Sequence, residues 1–384
     1  MTFAGACIGG AVGLPYRRHA TDTTTHTLLR DVFLALLRQS GMHRGQIDGL
    51  AVCSFTARPD HAIDIAWKLG LRPRWIMDEF NGGASGVNML QHALRAVQNG
   101  DAGAVAILAA DHFTEADYLD LTNNYNKTVR DHLAPLGFGG PNSLFSLLTL
   151  MMMEKEQLTR EDFGALCVAQ RQWAVGNPRA AYRTPLSIED YLSARRVAGP
   201  LSIFDCVPVV SGAEALLVTS ERVAEDLGLR KVAVRSLKAL HNFDQHQGDG
   251  LSTGLSVVRR DLWEDARCEP QDADVVQCYD DYPVMVLVQL RDLGFVRDIS
   301  LRDFIRKRIA TRDLSLNTSG GQLSAGQPGA AGGMHGLVEA VTQLRHEAGD
   351  RQIPDARLAV VSGYGMTEYR YCLCANATVL ERAG

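Results

Sequence analysis

Residues 82–111 read GGASGVNMLQHALRAVQNGDAGAVAILAAD and join a small-residue turn, a helix pattern and a buried strand pattern without interruption. The same order returns at residues 329–365, where GAAGG is followed by MHGLVEAVTQLRHEAG and then by ARLAVVSGYG. Small residues ahead of a helix let a second helix pack closely and let the backbone approach a ligand. The chain therefore contains two copies of one unit, and each copy begins with a turn of this kind.

The elements ahead of each turn repeat as well. Residues 22–39 (DTTTHTLLRDVFLALLRQ) have apolar side chains at helical spacing, and the strand pattern GLAVCSF follows at residues 49–55. In the second copy a helix is predicted over residues 251–267, and the strand pattern VVQCYDDY follows at residues 275–282. Alternation of strands with helices predicts an α/β fold whose parallel sheets are covered by helices.

The repeat divides the chain into an N-terminal half, residues 1–228, and a C-terminal half, residues 229–384. Residues 115–200 have no counterpart in the second copy and are rich in Tyr, Asn, Arg and Pro. Long segments inserted into a compact fold are often functional. We therefore predict a large loop excursion that forms a lid or a substrate wall.

Composition narrows the class of protein. The 384 residues are 22% charged and 46% hydrophobic with a net charge of -5, which is typical of a soluble protein of two domains and disfavours a general nucleic-acid binder. No apolar run reaches the roughly 18 residues that a membrane span needs. The N-terminus has no basic segment before its apolar part, so we expect a first strand and not a signal peptide.

Cysteine usage indicates a reducing compartment. Several of the eight cysteines lie inside apolar segments, as Cys53, Cys372 and Cys374 do, which is typical of buried thiols in a cytoplasmic protein. None of them has the spacing of a zinc site, so we predict no metal. The cluster His241-Asn242-Phe243-Asp244-Gln245-His246 leaves a metal site open as an alternative to a solvated loop over the pocket.

Four segments carry a resemblance to a known family. They are NGGASGVNML at 81–90, NPRAAYRTPLSIEDYLSARRVAGPLSIFDCVPVVSGAEALLV at 177–218, DADVVQCYDDYPVMVLVQLRDLGF at 272–295 and NTSGGQLSAGQPGAAGG at 317–333. They resemble the thiolase superfamily, above all the branch of sterol carrier protein x thiolase and the bacterial lipid-transfer-protein-like enzymes. The resemblance implies the thiolase fold, a five-layered α-β-α-β-α sandwich of two similar halves, and a homodimer.

The catalytic groups of that family are replaced in this chain. Gly83 stands where the resemblance places the nucleophilic cysteine, at the head of a helix that would lower a thiol pKa. Gln327 replaces the histidine of the Gly-His-Pro motif, and Tyr279 replaces the Asn or His of the oxyanion site. The segment that carries the second cysteine reads Val361–Gly365 here and contains Tyr364. Ordinary acyl transfer through a cysteine is therefore not expected.

The remaining groups suit a reaction without an acyl-enzyme. Claisen cleavage needs an acyl acceptor, whereas retro-aldol cleavage needs a base for a β-hydroxyl proton and donors for an enolate oxygen. We assign Tyr279 and Tyr364 as acid–base groups and Gln327 as an oxyanion donor. A tyrosine has a pKa near 10 and needs a partner to act as a base, and Asp280 or Asp281 could be that partner.

Further residues are assigned to substrate binding. His112 ends a buried strand at the edge where α/β sites gather. Phe145 and Met151–Met153 suit a flexible wall for a bulky apolar acyl group, although they could equally be core. The residues predicted to bind substrate are Gly83, His112, Ser324 and Gly363.

The sequence thus favours a C–C lyase acting on a 3-hydroxyacyl-CoA, with a coenzyme A thioester as substrate and no cofactor bound by this chain. By resemblance we expect a partner with an OB-fold and a zinc-ribbon element. One alternative is an acyl-CoA acyltransferase with unusual residues, in which Ser85 could be imagined as the nucleophile. The other is a non-catalytic subunit that binds acyl-CoA or lipid.

Overall fold

The computed structural model describes residues 3–138, 140–245 and 247–383. The strands are β1 (Ala6–Gly13), β2 (Gly49–Cys53), β3 (Trp75–Glu79), β4 (Ala104–Asp111), β5 (Arg196–Ala198), β6 (Leu201–Ser202), β7 (Gly212–Ser220), β8 (Val232–His241), β9 (Val275–Cys278), β10 (Leu358–Glu368) and β11 (Tyr371–Arg382). The α-helices are α1 (Thr25–Ser40), α2 (Ala62–Lys68), α3 (Ser85–Asn99), α4 (Glu115–Asn123), α5 (Pro141–Lys155), α6 (Arg160–Val175), α7 (Ile188–Ser193), α8 (Glu221–Asp226), α9 (Leu255–Ala266), α10 (Pro283–Asp292), α11 (Leu301–Phe304), α12 (Gly321–Ala325) and α13 (Gly332–Leu344).

The order of the strands repeats in the two halves. Nine strands are hydrogen-bonded in the order β3-β2-β4-β7-β1-β8-β11-β10-β9. The first half contains β2-β4-β7-β1 and the second contains β9-β10-β11-β8, which is the same order. Strand pairing between the two half-sheets consists of one residue pair in the described structure, Ile8 with Val232. The predicted boundary at residues 228 and 229 falls in the connection between α8 and β8, where the second copy of the order begins.

The sheet is mixed, so the prediction of parallel sheets is wrong for part of it. Parallel pairing joins β2 to β3 and β4, and β9 to β10. The pairs β4–β7, β7–β1, β10–β11 and β11–β8 are antiparallel. For β10 and β11 the reason is that they follow each other through a tight turn, and a short return of that kind forces antiparallel pairing.

The layers follow from the alternation of side chains along the strands. In β2, Leu50 and Val52 pack with α1, whereas Ala51 and Cys53 face the opposite way and pack with α3 and α13. Helices α3 and α13 also pack on β10, while α9 covers β8 and β11 from outside. From one side to the other, the layers are outer helices, the strands of the first half, the central helices α3 and α13, the strands of the second half and outer helices. The predicted five-layered α/β thiolase fold is confirmed.

The excursion at residues 115–200 is built largely of helices. Its main elements are α4, α5, α6 and α7. Phe145, Leu148 and Met152 of α5 are buried in the same core as Tyr282 and Met285 of α10. Apolar side chains on both helices hold the excursion against the C-terminal half.

In the described part of the chain, no single helix is long and apolar enough to cross a bilayer. Among the described residues, one pair of helical segments, 129–136 and α5, passes the test of length and composition when taken together, and the two are bent by 74°.

Candidate active site

The two small-residue turns meet at the centre of the molecule. Short 3₁₀ turns at Gly82–Ala84 and Gly329–Ala331 lead into α3 and α13. A Cβ atom added at Gly86 would lie 2.2 Å from the carbonyl oxygen of Gly333. Because no real Cβ contact is that short, only glycine allows the heads of the two helices to come this close. This is the close packing that the small residues predict.

A cavity of about 390 Å³ opens beside the first turn. Its polar end contains Gly82, Gly83, Tyr279, Gln327 and Tyr364. Aromatic and aliphatic residues from the excursion and from both halves form most of the remaining wall. They are Phe55, Phe113, Tyr118, Leu121, Tyr125, Phe145, Val197, Ile203, Phe204, Val207, Tyr282, Met285, Leu323 and Met366. A mainly apolar cavity with a few convergent polar groups is the usual form of a small-molecule site.

The ring of Tyr279 occupies the volume next to Gly83. A Cβ atom at position 83 would lie 2.3 Å from Cζ of Tyr279 and 2.4 Å from the carbonyl oxygen of Tyr364. Any larger side chain at position 83 would collide with both groups. The glycine and the tyrosine are therefore sterically linked, and a cysteine does not fit at position 83 while the ring stays in place.

Tyr279 is the centre of a short hydrogen-bonded chain. Its hydroxyl donates to Oδ2 of Asp281 over 2.9 Å and accepts from Nε2 of Gln327 over 3.3 Å. Burial raises the pKa of the Asp281 carboxyl to about 7, although the hydrogen bonds from Tyr279 and Gln327 lower it. Burial, followed by the negative charge of Asp281, raises the pKa of Tyr279 well above its usual value. Asp281 can therefore exchange a proton near neutral pH, while Tyr279 stays a donor.

Asp281 also has free accepting capacity. Its Oδ1 atom is buried and has no hydrogen-bond partner within residues 3–138, 140–245 and 247–383. The side chain lines the cavity. A buried carboxylate oxygen without a donor is costly, and a substrate hydroxyl would supply that donor.

Tyr364 presents a second unsatisfied group. Tyr364 is 1% exposed and is one of the residues that line the cavity, and its hydroxyl has no hydrogen-bond partner among the described residues. Burial raises its pKa well above the usual value, so the phenol stays protonated. It can donate a hydrogen bond to an oxygen atom of a ligand in the cavity.

Comparison with known proteins decides the family. Residues 241–374 match the family model described as Thiolase C-terminal domain-like. The 17-hydroxy-3-oxo-4-pregnene-20-carboxyl-CoA lyase of Mycobacterium tuberculosis is 31% identical over 340 residues, which cover 83% of this chain and 86% of the relative. The chain belongs to the thiolase superfamily.

Two further relatives agree with this membership. The steroid side-chain-cleaving aldolase of Thermomonospora curvata is 27% identical to this superfamily member over 357 residues, which cover 88% of this chain and 89% of the relative. The solved structure of the Ltp2-ChsH2(DUF35) aldolase shares the fold with a TM-score of 0.83 and 24% identity, and covers 100% of this chain and 99% of that one. The predicted resemblance to the lipid-transfer-protein-like branch is confirmed.

Asp280 does not line the cavity of this thiolase-superfamily chain. Its carboxylate accepts hydrogen bonds from the backbone N–H groups of Gln322 (2.9 Å) and Leu323 (3.3 Å) and from Nε2 of Gln170 (3.0 Å). Burial raises its pKa to about 8 despite these bonds. The structure does not bring Asp280, predicted as a catalytic residue, into the cavity wall: it anchors the start of α12, while its neighbour Asp281 contacts Tyr279.

Three predicted substrate-binding residues also lie outside the cavity wall. Nδ1 of His112 pairs with Oγ of Ser211 over 2.8 Å, and the following residue, Phe113, lines the cavity instead. Ser324 is buried and accepts from Nε of Arg171 over 2.9 Å. A Cβ atom at Gly363 would lie 2.9 Å from the carbonyl oxygen of Gly83. These three residues support the site from behind, whereas Gly83 lines it directly as predicted.

Sequence reasoning missed part of the wall. Tyr282 lines the cavity, stacks on Phe145 at 4.4 Å between ring centroids and donates to Oδ1 of Asn142 over 2.6 Å. Tyr118 and Tyr125 line it too. In the sequence, the high Tyr and Asn content of the excursion was the signal that could have identified Tyr118 and Tyr125 as wall residues.

One thiol lies in the cavity wall as well. Cys206 lines the cavity, but burial and the charge of Asp205 raise its pKa to about 12. A nucleophilic cysteine needs the opposite shift, since the thiolate is the reactive form. Ser85, the imagined replacement nucleophile, is buried at the start of α3 and does not line the cavity.

The alternative metal cluster is only partly described, because His246 lies outside the described residues. In residues 3–138, 140–245 and 247–383, no group of three or more His, Cys, Asp or Glu side chains could hold a metal ion.

Proposed function

We propose that this protein is a C–C lyase that cleaves a 3-hydroxyacyl-CoA by a retro-aldol reaction and forms no acyl-enzyme. The observation that carries the proposal is the ring of Tyr279 lying where a nucleophile at position 83 would have to be. The names of the relatives, a carboxyl-CoA lyase and a side-chain-cleaving aldolase, support it. Cleavage without a covalent intermediate is the chemistry left to a thiolase-type pocket that has a base and donors but no thiol at that place.

The reaction begins with removal of a proton from the 3-hydroxyl. Asp281 is the base, because its Oδ1 atom has no donor and its pKa is about 7. The electron pair of the O–H bond forms the carbonyl at C3, and the bond between C2 and C3 breaks. The products of this step are a ketone or aldehyde and the enolate of the shortened thioester.

The enolate needs a hydrogen-bond donor and then a proton. Tyr364 supplies the donor to the thioester oxygen, since its phenol is protonated, buried and unpartnered in the described structure. The proton held by Asp281 returns to C2, which gives the shortened acyl-CoA and restores the carboxylate. Tyr279 holds Asp281 in place by donating to its carboxylate, and Gln327 in turn donates to the Tyr279 hydroxyl. Gln327 is thus a positioning residue in this scheme, in place of the predicted oxyanion donor.

The cavity wall supports a bulky, apolar acyl group. Most of the wall is aromatic or aliphatic, and two methionines, Met285 and Met366, can adapt their shape to a ring system. A steroid side-chain thioester, as named for the Mycobacterium tuberculosis relative, is therefore the first substrate to test.

We also propose how this protein assembles with itself and with a partner protein. We expect a cytoplasmic homodimer that works with a partner carrying an OB-fold and a zinc ribbon, in line with the DUF35 component named for the structural neighbour. The chain itself would bind no cofactor besides its coenzyme A thioester substrate.

The test uses the protein with and without such a partner and a tertiary 3-hydroxyacyl-CoA. Released ketone, measured by mass spectrometry, should disappear in Asp281→Asn and fall strongly in Tyr364→Phe. Cys206→Ser is the matched control in the cavity wall and should keep its activity. A labelled acyl group found covalently on the protein would reject the lyase in favour of acyl transfer. Thioester binding with no product under any condition would favour the binding subunit.

A further inference from the structure

Three arginines line the same cavity, and two of them lie over one aromatic ring. Arg18, Arg171 and Arg195 all line it. The guanidinium groups of Arg18 and Arg171 lie over the ring of Tyr182, at 5.3 Å and 5.4 Å from its centroid. No hydrogen bond joins this cluster to Tyr279, Asp281 or Gln327 among the described residues. We call Arg18, Arg171 and Arg195 the arginine cluster.

Arg171 lacks the counter-ion that the other buried arginines have. Arg351 is paired with Glu339 over 2.9 Å and Arg345 with Glu347 over 3.1 Å. The partners of Arg171 are neutral, namely Oγ of Ser324 and the carbonyl oxygen of Thr184. A buried charge is costly unless it is paired, and burial lowers the pKa of this guanidinium. The structure of the free chain therefore leaves Arg171 incompletely compensated.

The other two arginines add to this imbalance. Neither Arg18 nor Arg195 forms an ion pair within the described residues, although the chain as a whole carries a net charge of -5. Attraction to the face of Tyr182 offsets only part of the repulsion between two cations on one ring. An anion in the cavity would be attracted by all three groups at once.

We propose that the arginine cluster binds an anionic oxygen group of the substrate, either a phosphate of the coenzyme A arm or a carboxylate on the acyl group. The inference rests on the proposed function, because it takes the thioester as the ligand of this cavity. Guanidinium groups match both anions with paired N–H donors. Arg171 is the anchor, and the exposed Arg18 and Arg195 guide the anion towards it.

The experiment measures binding by calorimetry, so that it does not depend on turnover. The ligands are a tertiary 3-hydroxyacyl-CoA, the same acyl group on N-acetylcysteamine, and a carboxylated analogue of that acyl group on N-acetylcysteamine. The proteins are the wild type, Arg171→Gln and Arg18→Gln/Arg195→Gln. Arg312→Gln is the control, since Arg312 also stacks on an aromatic ring, Trp173, but does not line the cavity. The double variant changes only exposed side chains, which keeps the test valid if Arg171→Gln fails to fold.

We expect the double variant to bind the anionic ligand about tenfold more weakly, or worse, while the control binds like the wild type. Weaker binding of the CoA ester alone identifies the phosphate, and weaker binding of the carboxylated analogue identifies the carboxylate. If both variants bind all three ligands within about twofold of the wild type, the inference is overturned. Absence of ketone release in a protein that binds normally would instead reject the proposed lyase and leave the arginine cluster as an anion site.

Discussion

Replacement of Gly83 by alanine tests the steric link on which the proposed chemistry depends. The new Cβ atom would lie 2.3 Å from Cζ of Tyr279 and 2.4 Å from the carbonyl oxygen of Tyr364, so the side chain, the backbone or both must move. Overpacking of this kind costs about 1–3 kcal/mol. We expect the upper part of that range, because Tyr279 is held by Asp281 and Gln327 and one of the two clashing groups is backbone.

We expect Gly83→Ala to lower the rate of ketone release more severely than it lowers the free energy of unfolding. A shift of the Tyr279 ring by about 1 Å removes its hydrogen bond to Asp281, and misplacement on that scale costs about 100-fold in rate. Urea denaturation gives the change in the free energy of unfolding, and mass spectrometry of the released ketone gives the rate. Gly45→Ala is the control, since a Cβ atom there meets nothing within 4 Å.

A double-mutant cycle isolates the contact itself. In Gly83→Ala/Tyr279→Ala the ring is gone, so the two changes should be less destabilising together than their sum by about 1–2 kcal/mol. The rescue is incomplete because the carbonyl oxygen of Tyr364 remains. If Gly83→Ala unfolds within about 0.5 kcal/mol of the wild type and still releases ketone at the wild-type rate, the steric reasoning is refuted.

Four further outcomes follow from the pKa shifts and the buried hydrogen bonds. In the wild type, kcat/KM should rise with pH through about 7 as Asp281 loses its proton, and Asp281→Asn should lose this limb and about 100-fold or more in rate; an unchanged profile would remove Asp281 as the base. Asp280→Asn should keep the limb but lower the free energy of unfolding by about 1–3 kcal/mol above about pH 8, where the carboxylate accepts all three hydrogen bonds and an amide cannot; normal stability with lost activity would reverse the two assignments. Burial raises the pKa values of Asp280 and Asp281 in the folded protein from 3.8, so the folded state retains protons that the unfolded state has released. The free energy of unfolding should therefore decrease as the pH rises from about 5 to 8; a urea midpoint that stays constant over that range would contradict this. Tyr364→Phe should lower kcat about tenfold or more with little loss of stability, whereas Cys206→Ser should leave kcat within about twofold, and the reverse pattern would restore the thiol as the reactive group.

The sequence predicts the polar end of the cavity well. Gly83, Gln327, Tyr279 and Tyr364 are recognised from their positions in recurring motifs, and the structure brings all four into one wall. Gly83 and Gln327 lie at turns, Tyr279 directly follows β9 and Tyr364 lies within β10, so the local backbone conformation determines which side each residue faces. Local pattern was therefore sufficient.

The supporting residues are predicted less well. Asp280, His112, Ser324 and Gly363 lie next to wall residues along the chain but not in the wall itself. Consecutive residues at the end of a strand point to opposite sides, so a shift of one position exchanges a cavity residue for a buried anchor. The sequence alone did not settle which of two adjacent aspartates would face the cavity.

By itself, the sequence determined the duplicated α/β architecture, the absence of a cysteine at the head of α3 and the identity of four groups at the polar end of the cavity. These features depend on short-range periodicity and on residue types at fixed motif positions. Only the tertiary structure showed that the Tyr279 ring fills the space beside Gly83, that Asp281 is its partner and that Arg171 is buried without a counter-ion. The first and third of these facts depend on contacts between residues far apart in the chain, whose geometry is set by the packing of the two halves and the excursion together. The second depends on the direction of the two side chains just after β9, which the spacing of two residues does not fix by itself.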